Sequence, residues 1–233
     1  MLELFHVTKR FGGKLLLNDI HVKIEKGTLY GVVGPDEEGM RAFMRTIAGI
    51  SRPDLGKVLI DGEELYENEE LKQKSFLMAE NMFFRPRSVI RDSLAFYRGY
   101  EPNWEKETCE RLMTVFGLSV NKRYYTLTPE EKALLRFVIA FSTRSEYLFI
   151  EQPFLNLKGK AADQIRIMMR SYVHDRNAVI VTTAPRLREE DVDRCAYMVD
   201  RKLLDGVTEQ KYREAEKKLR EEGAEHELEH FFK

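Results

Sequence analysis

The stretch Thr28–Gly49, T-L-Y-G-V-V-G-P-D-E-E-G-M-R-A-F-M-R-T-I-A-G, decides the fold. It opens as a short apolar strand (Leu29, Tyr30, Val32, Val33) and closes as a helix whose apolar residues Met40, Phe43, Met44 and Ile47 recur at helical spacing. A strand, a loop bounded by glycines and a helix make the frame of a phosphate-binding loop, whose usual pattern is G-x-x-x-x-G-K-[ST]. Gly34 and Gly39 hold the glycine positions. Met40 stands where a lysine would supply its charge, and Arg41 where a hydroxyl would meet magnesium. Two glycines in a strand-to-helix turn are equally an ordinary turn, so the reading depends on the segments around them.

Upstream, Leu2–Val7 reads as an edge strand and Leu15–Ile24 as its partner, joined at Gly12-Gly13. Phe11, just before that turn, is placed either to stack on an adenine ring or simply to cover the sheet. Downstream, S-R-P-D-L-G is a turn, K-V-L-I-D-G-E-E-L a strand and turn, and Lys74–Glu80 another strand. The composition then changes. N-M-F-F-R-P-R-S-V-I-R-D-S-L-A-F-Y-R-G-Y opens a helical lobe, which Trp104–Val115 continues with Leu112, Val115 and Phe116 as its apolar stripe.

Thr128, Pro129 and Glu131 fit a helix start as N-cap, first helical residue and capping-box partner. The helix they begin is apolar around most of its circumference and is expected to be buried. Glu146–Glu151 reads as a central parallel strand ending in an acid. Ala161–Tyr172 reads as an amphipathic helix and Ala178–Thr183 as a buried strand. Ala196–Val199 and Leu203-Leu204 close the sheet. Strands alternating with helices predict an α/β fold with a mostly parallel sheet and a ligand crevice at its carboxyl edge. A charged segment from Thr208 keeps one stripe, Tyr212, Ala215 and Leu219, for docking as a surface helix.

The chain has 233 residues, 43% hydrophobic and 33% charged, with a net charge of -1, so the total carries no bias toward nucleic acid. No apolar run approaches the roughly 20 residues that span a bilayer, and the N-terminus has no signal-peptide pattern; a cytoplasmic location is expected. Cys109 and Cys195 fit no metal or redox spacing, which suits a reducing compartment. His226 and His230, four residues apart, read as part of a polar tail rather than a ligand pair.

The order V-T-K-R-F-G-G, G-P-D-E-E-G, T-I-A-G-I-S-R-P-D-L-G-K-V-L-I-D-G, T-L-T-P-E-E and Y-L-F-I-E-Q-P-F-L-N-L resembles the ATP-binding cassette of ABC transporters over essentially the whole chain. The resemblance implies a P-loop NTPase-like (RecA-like) core with an N-terminal antiparallel β subdomain and an inserted helical subdomain. In this single cassette, residues 1–82 and 145–206 would form the α/β core, 83–144 the helical subdomain, and 207–233 a charged helix and tail. It also implies site residues, and here the sequence departs from the family. Met40 and Arg41 replace the lysine and Ser/Thr of the phosphate loop. Glu80 stands for the glutamine that links the lobes to the metal, and Leu127–Glu131 for the L-S-G-G-Q signature. Glu151 matches the aspartate that organises magnesium, and Gln152 the carboxylate that polarises water. Lys158 matches the aspartate of the dimer-contact loop, and Ala184 the switch histidine.

The chemistry of these replacements opposes a nucleotide site. Asp36, Glu37 and Glu38 put carboxylates in or beside the phosphate cradle. At roughly 7 Å and an effective dielectric of about 20, each pair of like unit charges costs on the order of 2 kcal/mol. A micromolar site is worth only about 8 kcal/mol. Glu37 lies where the family has a glycine, and a non-glycine residue is expected to be strained there if φ is positive. Gln152, a neutral amide, cannot act as a base; a hydrogen-bonded role at the strand end is its other reading.

Two functions follow. The first is a non-hydrolysing cassette subunit that acts by binding a membrane permease or a second cassette, with no cofactor and no nucleotide-driven homodimer. Gly34, Gly39, Met40, Arg41, Phe11 and Thr128 are then vestigial positions. The alternative is an ATP-hydrolysing subunit using Arg41 for phosphate and Glu80 or Glu151 for magnesium. For a permease helix, Met82, Phe83, Phe84, Phe96, Tyr97 and Tyr100, with Arg85, Arg87 and Arg91 among them, form the expected groove surface or else pack inside the lobe.

Overall fold

The computed structural model describes residues 1–208, 210–214 and 217. In chain order the hairpin β1 (Leu2–Phe11) and β2 (Lys14–Ile24) leads to β3 (Thr28–Val33) and α1 (Glu37–Ile47). Then come β4 (Leu55–Ile60), β5 (Glu63–Glu64), the short α2 (Glu69–Lys72) and β6 (Ser75–Met78). Helices α3 (Ile90–Tyr100), α4 (Lys106–Val115) and α5 (Pro129–Ser142) follow. The chain returns to the sheet as β7 (Tyr147–Glu151), α6 (Gly159–Arg176), β8 (Val179–Ala184), β9 (Arg194–Val199) and β10 (Lys202–Asp205).

The hairpin turns at Gly12 and Gly13, both at positive φ, as its tight geometry demands. β1 is not an edge strand. It lies inside the antiparallel sheet β2-β1-β4-β5, because β4 pairs with its other side, Leu2 opposite Ile60. A pairing so far apart in sequence leaves no local signal, which is why the strand reads as an edge from its own residues.

The second sheet has the order β10-β9-β3-β8-β7-β6, parallel except for the antiparallel β10. Its inner strands send alternate residues to opposite faces. Tyr147, Phe149, Val179 and Val181 join the core shared with α1 and the antiparallel sheet. Leu148, Ile150 and Ile180 join a second core against α5 and α6. This two-sided burial explains the unbroken apolar runs of these strands.

The second core runs on without a break into the helical segment, through Ile90, Cys109, Leu112, Met113 and Leu118. Every residue of α5 from Ala133 to Ser142 is buried, as its sequence predicts. The compositional change near residue 83 therefore marks a lobe that shares the sheet's core. At the other end, Tyr212 is buried and stacks on Tyr197 with ring centres 4.2 Å apart. Ala215, Leu219, His226 and His230, named in the expected helix and tail, lie outside the described residues. Among the described residues no helix is long and apolar enough to cross a membrane.

Candidate functional site

The carboxyl ends of the parallel strands place the loop after β3 beside the ends of β7 and β8, with Val33 opposite Ala184 and Glu151 opposite Thr183. Glu37 starts α1 and is not among the residues with positive φ, so the strain expected of a non-glycine residue there is absent. The N-cap is Asp36. Its Oδ1 accepts the Gly39 N–H at 3.0 Å, and its carbonyl accepts the Met40 N–H at 2.9 Å. Glu38 pairs with Lys14 from β2. The helix start thus holds an anion supplied by the chain itself, which satisfies the Gly39 N–H and faces the positive end of the dipole.

Both glycines have structural reasons to be glycine. A Cβ at Gly34 would lie 2.8 Å from the Met198 carbonyl oxygen, and one at Gly39 would lie 2.7 Å from Asp36 Oδ2. Met40 is 6% exposed and packs into the core with Phe43 and Met44. Arg41 is exposed and makes no hydrogen bond or ion pair among the described residues.

A cleft beside α1 is lined by Gly34, Glu37, Met40, Arg41, Glu80, Glu151, Gln152, Thr183, Ala184 and Pro185. The structure therefore gathers most of the sequence-predicted site residues in one place. Gly39, Phe11 and Thr128 are not among the lining residues: Phe11 lies 74% exposed at the hairpin, and Thr128 lies at the start of α5. The cleft encloses about 30 Å³, room for a water or two but far below the roughly 300 Å³ of a small-molecule pocket. Among the described residues no three His, Cys, Asp or Glu side chains are placed to hold a metal ion.

Three polar residues of the cleft, Glu80, Glu151 and Gln152, bond to one another. Glu151, 8% exposed, accepts the Glu80 N–H at 2.9 Å. Gln152 donates its side-chain amide to Glu80 Oε2 at 2.9 Å and its own N–H to the Thr183 carbonyl at 2.8 Å. Gln152 sits at φ 48°, a left-handed conformation that turns its side chain back over the strand end.

Arg136 of α5, beside the cleft, is the buried charge that the sequence did not single out. It is 5% exposed and donates to the carbonyls of Glu80 at 3.1 Å and Ala79 at 3.4 Å. Burial lowers the pKa of its guanidinium, while Tyr124, Glu80 and Glu151 favour the charge. The signal was present: a lone arginine in the run A-L-L-R-F-V-I-A-F must find partners when its helix is buried.

The start of α5 closes as its sequence predicts. Thr128 Oγ1 accepts the Glu131 N–H at 3.1 Å, and Glu131 Oε2 accepts the Thr128 N–H at 2.9 Å. Lys122, 2.7 Å away, and the Thr128 N–H hold the Glu131 carboxyl below the usual carboxylate range. A second helix start is thus occupied by its own side chains.

Next to the cleft, a groove of about 280 Å³ runs between α1 and the helical lobe, lined among others by Arg41, Arg45, Phe76, Met82, Phe83 and Tyr97. Of its expected aromatics, Phe83, Phe96 and Tyr100 are exposed, with Phe96 in ring contact with both of the others. Phe84 is buried and stacks on Tyr124 at 4.4 Å, and the Tyr97 hydroxyl, its pKa pushed up to about 12 by burial, donates to the Phe83 carbonyl. Arg85, Arg87 and Arg91 are exposed beside them.

Comparison with known proteins places these features in a family. The model of the family described as ABC transporter matches residues 17–155. The ABC transporter ATP-binding protein YtrB of Bacillus subtilis (strain 168) is 26% identical over 194 residues, which cover 83% of this chain and 66% of the relative. The methionine import ATP-binding protein MetN of Legionella pneumophila (strain Paris) is 26% identical over 220 residues, covering 88% and 64%. The chain thus spans somewhat less than two thirds of the length of these relatives. A solved ATP-binding subunit of an ABC transporter superposes with a TM-score of 0.79 at 17% identity, over 97% of this chain and 94% of the other. The cassette MJ0796, solved as a dimer in a post-hydrolysis state with ADP and Pi, gives a TM-score of 0.74 at 17% identity, covering 87% and 96%.

Proposed function

This chain belongs to the ABC transporter family, and from that membership we propose that it is a cassette subunit that works by binding a partner without hydrolysing ATP. The observation that carries the reading is the bond from the Gly39 N–H to Asp36. A phosphate loop works by presenting such N–H groups, a helix dipole and a lysine charge to an anion. Here the N–H is taken by a resident carboxylate, and Met40 lies in the core. The remaining wall carries Glu37, Glu80 and Glu151, so the residues present do not fit a magnesium triphosphate. Gln152 and Ala184 offer no base and no switch group at the positions where the family resemblance expects them.

The partner we propose is the cytoplasmic segment of a membrane permease, seated in the groove beside Met82 and Phe83, with a second cassette as the other candidate. This places the chain at the cytoplasmic face of a membrane through its partner. We propose no nucleotide-driven homodimer. In a pair joined across the two helix starts, Asp36, Glu37 and Glu38 would confront Glu130 and Glu131, and close carboxylates disfavour approach. Sedimentation with and without magnesium and ATP checks this: a shift to dimer on adding both would overturn it.

A second reading rests on Arg41, which is exposed, without a hydrogen bond or ion pair among the described residues, and on the cleft wall with Glu80 and Glu151. It makes Arg41 the phosphate ligand and one of the two acids the magnesium ligand of an active ATPase. Thermal unfolding with ATP, with and without magnesium, separates the two. A ligand at a hundredfold excess over its Kd stabilises the folded state by about 2.7 kcal/mol, which is roughly 5–10 °C for a domain of this size. We expect no rise. A magnesium-dependent rise of that size, with turnover lost in Glu151→Gln, would establish the second reading.

A further inference from the structure

The segment after β6, Ala79–Phe83, forms the wall between the cleft and the groove: Glu80 faces the cleft, and Ala79, Asn81, Met82 and Phe83 face the groove. It has no helix or strand of its own, so its order must come from bonds to its neighbours. Three elements supply them. From α5, Arg136 reaches the carbonyls of Ala79 and Glu80; from β7, Glu151 takes the Glu80 N–H; from the turn after β7, Gln152 bonds the Glu80 side chain. Further along, Tyr97 of α3 donates to the Phe83 carbonyl.

We propose that Arg136 is a positioning residue: a built-in cation that clamps this wall to the sheet and the helical lobe, so that the groove stands preformed without any bound ion or nucleotide. A guanidinium that is 5% exposed needs compensating partners, and the only hydrogen bonds it makes among the described residues are the two carbonyls of this wall. It is also attracted by two carboxylates, Glu80 and Glu151, that bracket the same peptide unit. Glu151 is thereby kept turned toward the Glu80 N–H, and the wall is fixed on both sides of one residue. One nitrogen, Nη1, reaches both successive carbonyls, so a single side chain spans the Ala79–Glu80 step. The clamp would hold the wall whatever enters the groove.

The Glu80 amide is the reporter, and the Gln152 amide, bonded to the Thr183 carbonyl, is its control in the same site. Amide hydrogen exchange by NMR is measured on the intact chain, free of ligand. Arg136→Met, which keeps the bulk of the side chain and removes its charge, is expected to speed exchange at Glu80 at least tenfold and at Gln152 less than twofold. Arg136→Lys is expected to recover part of the protection. If both amides accelerate together, or neither does, the clamp is refuted. Should Arg136→Met not fold, Gln152→Leu leaves Arg136 in place and removes one wall bond. It is expected to accelerate Glu80 by less than threefold; loss of all protection there would show that Gln152 and not Arg136 holds the wall.

Discussion

The amide of Gln152 donates to the carboxylate of Glu80 across 2.9 Å, joining the end of β7 to the segment after β6. By resemblance to the family these positions hold the opposite groups, a carboxylate after the strand-ending acid and an amide after β6. The two have changed places and bond directly. Gln152→Glu should set carboxylates against each other and destabilise the chain at neutral pH, whereas adding Glu80→Gln should restore a bond with its donor reversed. A double-mutant cycle by urea unfolding is expected to give a coupling of about 0.5–3 kcal/mol. Additive single effects would mean that the bond is not formed in solution.

Met40→Lys alone should leave ATP turnover at the blank level. The new ammonium would enter a loop whose Gly39 N–H is already bonded to Asp36, and no base would be gained. Groups that act as a unit do not restore function one at a time. A phosphate-release assay checks this, and turnover in the single variant would count against the occupied helix start.

Asp36→Ala should cost about 1 kcal/mol, the usual worth of an N-cap. That corresponds to roughly 2–4 °C in thermal unfolding. Gly39→Ala should fail to stabilise although alanine favours helix, because its Cβ would lie 2.7 Å from the capping carboxylate. Combining the two should cost less than their sum, since the alanine Cβ then meets only the Leu16 carbonyl oxygen at 3.3 Å.

Gly34→Ala tests the fold rather than the loop. Its Cβ would meet the carbonyl oxygen of Met198 at 2.8 Å and the Met198 Cβ at 3.0 Å, in a sheet that cannot open there. The overpacking should cost about 1–3 kcal/mol, read as a lower urea midpoint with an unchanged slope.

Glu101, at the end of α3, has its pKa raised by burial to about 7 from an ordinary 4.5. The folded chain thus holds this proton more tightly than the unfolded chain, so stability falls as pH rises through that interval. Below pH 4.5 Glu101→Gln should match the parent. Its advantage should grow between pH 4.5 and 7 and stay level above, measured by urea unfolding across the pH series. An advantage present at pH 4 would assign the effect to packing instead.

Much of this was legible in the sequence, because local signals sit in local strings. T-P-E-E carries its capping box in consecutive residues, and E-Y-L-F-I-E carries the two-sided burial of a central strand. The place of β1 inside its sheet was not legible, since Ile60 decides it. Asp36, Glu37 and Glu38 read as three charges facing a cradle; the fold separates them, making the first a cap and pairing the third with Lys14. Arg136 was hidden by its own neighbours, whose apolar periodicity marked the helix as buried and drew attention from the one residue that burial penalises.

The two apolar cores on the faces of the parallel sheet use almost nothing from the cleft. Met40 is the one cleft residue in the first, and Ala184 the one in the second. The packing of the two cores therefore rests on residues outside the polar rim of the cleft. The polar rim of the cleft is free to vary so long as each buried dipole keeps a partner, and the scaffold that presents the groove survives the change. On the function proposed above, such a sheet loses its nucleotide chemistry only at the surface, and the groove offered to a partner stays in place.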